Sequence, residues 1–147
     1  MKPFRFRLET LLGFRKMKKE QSQIEFLRAK NQLRIEKEVL QQMESNLNEN
    51  IELLQIRKQQ TLEIEVFKSF QYYFDKLGVD IAKQKQIIIE ANTHYQESLV
   101  ALTEAEKNYR VVEKFREKKV MDYQIETMQE EQKLLDEIGI QVYTRKK

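Results

Sequence analysis

The sequence predicts an all-α fold, a long antiparallel two-helix coiled-coil hairpin, on three observations. Within Phe70 to Lys119, the residues Ile81, Ile88, Tyr95, Leu102 and Tyr109 recur every seven positions. Three places further on stand Gln84, Ala91, Ser98, Ala105 and Val112, most of them small. A repeat of seven marks a helix under-wound to about 3.5 residues per turn around a partner helix. Large residues on one row and small ones on the next let two helices approach closely. The second observation is an independent row, Phe26, Leu33, Leu40, Leu47 and Leu54, joined by Ala29, Met43 and Ile51. The third is the lapse of both patterns between Gln59 and Val66, where the chain can turn back on itself.

Composition agrees. Of 147 residues, 35% are charged, with three Gly and a single Pro, which suits long helices and a narrow buried seam rather than a wide core. The chain has no Cys, so it makes neither disulfides nor thiolate metal sites, as befits a reducing cytoplasm. No apolar stretch approaches the roughly 18 to 20 residues that span a bilayer, so direct membrane insertion is not expected. The basic N-terminus lacks the continuous apolar run of a secretory signal. Formal net charge is +3, concentrated at the start, where Met1 to Lys30 holds nine Lys/Arg against three Glu. Such an end suits anionic lipid or an acidic protein surface; nucleic acid is not expected, because the basic residues are interleaved with Glu and Leu.

In chain order, Pro3 suits a helix start, and Phe4, Leu8, Leu11 and Leu12 follow at helical steps as one apolar stripe. Gly13 weakens that turn by about 1 kcal/mol, too little to end it. The first helix is therefore expected over about residues 3–58. A bend follows at about 59–66, where β-branched residues alternate and Thr61 or Ser69 is available as an N-cap. One uninterrupted helix in an intermolecular coil is the alternative. The second helix is expected over about 67–138, with Gly139 at its C-terminus and a tail over 139–147. The whole of 1–147 then forms one hairpin domain. A bend centred near residue 64 sets Leu54 near Phe74, Leu47 near Ile81, Leu40 near Ile88, Leu33 near Tyr95 and Phe26 near Leu102. The last twenty or so residues, with Met128, Leu134, Leu135, Ile138, Ile140 and Val142, overshoot the N-terminus.

No catalytic constellation is present. The sole His94 lies beside the Tyr95 seam, and Glu104/Glu106 and Glu130/Glu131 read as solvated faces. Phosphate loops and metal-ligand spacings are absent, so neither enzymatic activity nor a cofactor is expected. What needs a purpose is apolar surface. Phe67, Phe70, Tyr72, Tyr73, Phe74 and Leu77 crowd the start of the second helix beyond what one seam buries. Surplus aromatics of this kind mark a partner face, with Tyr73 and Leu77 its best candidates and local packing around the bend the competing explanation.

The opening Phe4-Arg5-Phe6-Arg7-Leu8-Glu9-Thr10-Leu11-Leu12-Gly13-Phe14-Arg15 resembles the N-terminal signature of the FliJ family of flagellar export proteins. So do Phe70-Gln71-Tyr72-Tyr73-Phe74-Asp75-Lys76-Leu77, Val112-Glu113-Lys114-Phe115-Arg116-Glu117-Lys118-Lys119 and Leu135-Asp136-Glu137-Ile138-Gly139-Ile140, in that order along the whole chain. The resemblance implies a coiled coil similar to the central stalk of rotary ATPases. It implies a non-enzymatic cytoplasmic component of the flagellar type III export apparatus, peripherally associated with the membrane at the flagellar base. Its partners would be the hexameric export ATPase, whose ring assembly it promotes, the membrane export gate protein, and export chaperones that it escorts. The gate face would include Tyr73, Leu77 and Gln84, with Asp80 where the family can carry a small residue and Gln84 where it can carry His. The resemblance puts the end bearing both termini in the ATPase ring, with Phe4, Leu8, Leu11, Arg15, Ile138 and Ile140 as contacts. The equivalent stalk of a virulence-type secretion system and a purely structural coiled-coil spacer are the alternatives.

Overall fold

The computed structural model describes residues 2–60 and 63–146. Among these the secondary structure is two α-helices, α1 (Glu9–Lys58) and α2 (Ile64–Arg145), packed against each other as an all-α hairpin. The chain divides into two compact units, one of Ser22–Leu102 and one of Met1–Gln21 with Thr103–Lys147.

In the unit of Ser22–Leu102 the heptad rows are the buried rows. Ala29, Leu33, Ile81, Gln84 and Ser98 are buried, and Phe26, Leu40, Met43, Leu47, Leu54, Ile88, Ala91, Tyr95 and Leu102 are half-buried. Nothing larger than this seam is covered, as expected when each helix hides one stripe. Ile51 departs from expectation: it is 38% exposed, and Asn50 takes the half-buried place. The row through Ala29 and Met43 advances by sevens through Glu36 to Asn50, so Ile51 falls about 100° off the seam. Asn50 satisfies its amide by donating Nδ2–H to the Asn46 carbonyl at 2.7 Å.

The pairing register differs from the expected one by a heptad. The ring of Phe26 packs on Tyr95, centroids 5.4 Å apart, rather than beside Leu102. The Gln84 amide, one heptad on the bend side of Ala91, donates to the Glu36 carbonyl at 2.9 Å and also to the Glu36 carboxylate. The cause is the bend, which is shorter and earlier than expected. Ile64, Glu65 and Val66 are helical, and the first α2 bond runs from Phe67 N–H to the Glu63 carbonyl at 3.1 Å. Their β-branched pattern costs only tenths of a kcal/mol per residue, less than the seam contacts gain. Ser69 is not an N-cap, since its hydroxyl donates back to the Glu65 carbonyl within the helix. Thr61, the other expected cap, lies outside the described residues.

The unit of Met1–Gln21 and Thr103–Lys147 corrects both helix ends. The segment before Glu9 is not helical. Phe4-Arg5-Phe6-Arg7 alternates apolar and charged residues with a period of two, so a helix there would scatter its two rings around its surface. Instead Phe4 packs on Tyr123 (5.5 Å) and Phe6 on Phe115 (5.8 Å), while Arg5 and Arg7 stay exposed. The Tyr123 hydroxyl donates to the Lys2 carbonyl at 2.7 Å, and the Arg116 guanidinium ties the start of α1 through Glu9 at 3.1 Å. At the other end Gly139 does not stop α2, which runs on to Arg145 with no positive-φ residue among those described. Its cost of about 1 kcal/mol is too small to end a helix that no Pro interrupts. From Met128 to Lys146 every residue is exposed, the overshoot that the sequence led one to expect.

Candidate partner-binding faces

The face near the bend is built on the first turns of α2. Seam packing absorbs part of its aromatic surplus. Phe67, Phe70 and Phe74 are half-buried, Phe70 and Phe74 lie 6.1 Å apart, and Arg57 and Lys58 cover the Phe70 and Phe67 rings at 5.8 and 5.6 Å. Tyr72 (74% exposed) and Tyr73 (39% exposed) remain on the surface. Tyr73 meets Phe74 edge-on at 6.1 Å, which orients its ring at the margin of the seam.

The three residues expected to share this face therefore separate. Tyr73 presents an exposed ring, Leu77 is half-buried on the seam row, and Gln84 is 5% exposed with its amide consumed by Glu36. Gln84 cannot face a partner while it holds that bond; it belongs to the pairing of the two helices. Tyr72 is the stronger candidate by exposure, together with Val79 seven residues on and with Leu53 and Ile56 at the end of α1, all exposed. Their signal in the sequence was that they lie outside both heptad rows yet are apolar.

At the termini the expected contacts also fall into two groups. Phe4 is spent on Tyr123, Leu11 is half-buried, and the Arg15 guanidinium donates to the Asn108 carbonyl at 2.9 Å. Leu8 stays exposed at the start of α1. Ile138 and Ile140 are exposed far along α2. Fifteen residues separate Tyr123, where Phe4 sits, from Ile138, which is about 22 Å of helix at about 1.5 Å per residue. The two groups are not one patch. Leu134, Leu135 and Val142 join Ile138 and Ile140 in an uncovered apolar end.

The chemistry available is that of contact. Among the described residues no group of three or more His, Cys, Asp or Glu could hold a metal ion. His94 is exposed. The bond of Tyr109 to the Glu113 carboxylate holds its phenol above its ordinary range, helped by desolvation and by the charges of Glu113 and Glu20. The Lys19 ammonium stands 4.2 Å above that ring. No helix of the described residues is long and apolar enough to cross a membrane.

The family model described as flagellar FliJ protein matches residues 4–147. No curated protein matches the chain. Among solved structures, CT670 of Chlamydia trachomatis, described as a proposed YscO homolog, is similar with a TM-score of 0.62 at 18% identity, over 97% of this chain and 96% of that one. At that identity the likeness speaks for the two-helix fold.

Proposed function

The chain belongs to the flagellar FliJ protein family, and from that premise we propose that it is a non-enzymatic, stalk-like component of the flagellar type III export apparatus. In this reading it works in the cytoplasm at the membrane-embedded base of the flagellum. It binds the hexameric export ATPase and promotes ring assembly, contacts the export gate, and escorts export chaperones. The observation that carries the reading is the uncovered apolar end of α2, Leu134, Leu135, Ile138, Ile140 and Val142. A chain whose only task was to space two points would gain nothing from leaving these residues in water, whereas a ring that closes around them removes that surface. The exposed basic side chains Arg5, Arg7, Lys16 and Lys18 in the same unit suit an acidic rim. Tyr72 and Tyr73, in the unit of Ser22–Leu102, suit the gate contact.

The test is complementation of a strain lacking this gene, scored by swimming. The full chain restores motility, and a chain ending at Glu137 does not, although it is present at normal levels. Normal swimming with the shortened chain refutes the reading. A second reading, the equivalent stalk of a virulence-type system, draws support from the likeness to the proposed YscO homolog. It predicts loss of effector secretion, with swimming intact, in the same deletion strain.

A further inference from the structure

We propose that one side of the hairpin in the unit of Ser22–Leu102 is a docking groove for an acidic amphipathic helix of a partner protein. Gln84 of α2 is bonded to Glu36 of α1, and the next residue on each helix is a lysine, Lys85 and Lys37. In antiparallel helices the residues that follow two paired seam positions stand on the same side of the seam. Lys37 and Lys85 are therefore like charges on one side, with Lys30 two turns before Lys37. All three are exposed, and among the described residues none is in an ion pair. Arg34 is already held by Glu38 at 2.6 Å and by Asn31 at 2.7 Å. Glu90 and Glu97 do not answer the lysines, because six places after Gln84 and Ala91 they fall on the opposite side of α2.

The same side carries an open groove of about 760 Å³, far more than one small anion fills. Buried Leu33 and half-buried Tyr95 line its depth, and exposed Lys30, Lys37 and Asn92 line its rims. Each helix adds an apolar shoulder. Leu27 on α1 is 61% exposed, and Ile89, one turn from Lys85 on the same side of α2, is 58% exposed. An apolar depth with cations at its edges fits a third helix laid along the groove, apolar stripe inward and carboxylates at its flanks. Lys30 and Lys37 stand about 10.5 Å apart along α1, the interval at which such a helix repeats a carboxylate every seven residues. Nucleic acid would bring phosphates to the lysines but leave Leu27 and Ile89 in water, and a flat bilayer would not reach Leu33 or Tyr95. The groove uses none of the residues assigned above to the ATPase ring or the gate.

The probe is a fluorescein-labelled synthetic helix of three heptads, with Leu at the first and fourth places of each and Glu on both flanks. Fluorescence anisotropy follows its binding to the full-length chain. Lys30→Glu, Lys37→Glu and Lys85→Glu together weaken binding at least about tenfold at about 0.1 M salt. The same triple variant gains affinity for a peptide with Lys in place of each Glu. Leu27→Ser with Ile89→Ser weakens binding at about 0.1 M and about 1 M salt alike, because apolar contact is not screened. Lys114→Glu with Lys118→Glu, in the other unit, changes it less than about twofold. The changed side chains are all exposed, so circular dichroism should show every variant as helical as the native chain. A chain that does not bind the acidic helix overturns the proposal, as does binding that the triple charge reversal leaves intact. Single-stranded DNA of equal charge, held by the same three lysines as tightly as the peptide, also overturns it.

Discussion

The ring of Phe26 on α1 rests against the ring of Tyr95 on α2, centroids 5.4 Å apart, and this contact fixes which heptad of one helix faces which heptad of the other. It predicts a crosslinking pattern. Phe26→Cys with Tyr95→Cys should close a disulfide within one chain, and Phe26→Cys with Leu102→Cys should not. The absence of native Cys keeps the background clean. Mass spectrometry after mild oxidation reads the result.

The Glu36–Gln84 pair should hold that register at some cost in stability, as polar residues in a coiled-coil seam do. Replacing both by Leu should raise the unfolding free energy by about 1 kcal/mol in urea titration. It should also allow the slipped Phe26→Cys/Leu102→Cys disulfide to form. A more stable protein that never slips would assign register control elsewhere.

The heptad rows were legible in the sequence because Leu33 against Arg34, or Ile81 against Lys83, is a large contrast repeated many times. The register was not, because a seven-residue pattern matches itself after a slip of seven and only the turn decides. Ile64 to Val66 decided it by joining α2. The start of α1 was misread for a different reason: Phe4, Leu8 and Leu11 fit a helical stripe, but Phe4 and Phe6 also fit a period of two. The packing of both rings on α2 favours the second. The overshooting end of α2 was read from lengths alone. The face near the bend was half legible, since spare aromatics are visible in sequence but the burial of Gln84 follows from register.

Near the bend, the tyrosines and Leu77 should behave differently. Tyr72→Ala and Tyr73→Ala, at exposed positions, should change stability by less than about 0.5 kcal/mol while weakening the gate contact in a binding assay. Leu77→Ala should lower stability by about 1–2 kcal/mol, because the half-buried side chain belongs to the seam.

The N-terminal segment should be held by its two rings. Phe4→Ala with Phe6→Ala should release it, and trypsin should then cut after Arg5 and Arg7 at least about tenfold faster. The helicity of α1 should stay within a few per cent, since α1 begins only at Glu9.

The central claim is that the uncovered end of α2 grips the export ATPase. Steady-state ATP hydrolysis by that enzyme, titrated with the full chain and with a chain lacking Ile138 to Lys147, tests it most directly. The account predicts that the shortened chain loses most of the stimulation at every salt concentration, because apolar contact is not screened. Charge reversal at Lys16, Lys18 and Lys19 should lower stimulation mainly below about 0.1 M salt, where the screening length exceeds about 10 Å. Undiminished stimulation by the shortened chain would contradict the account.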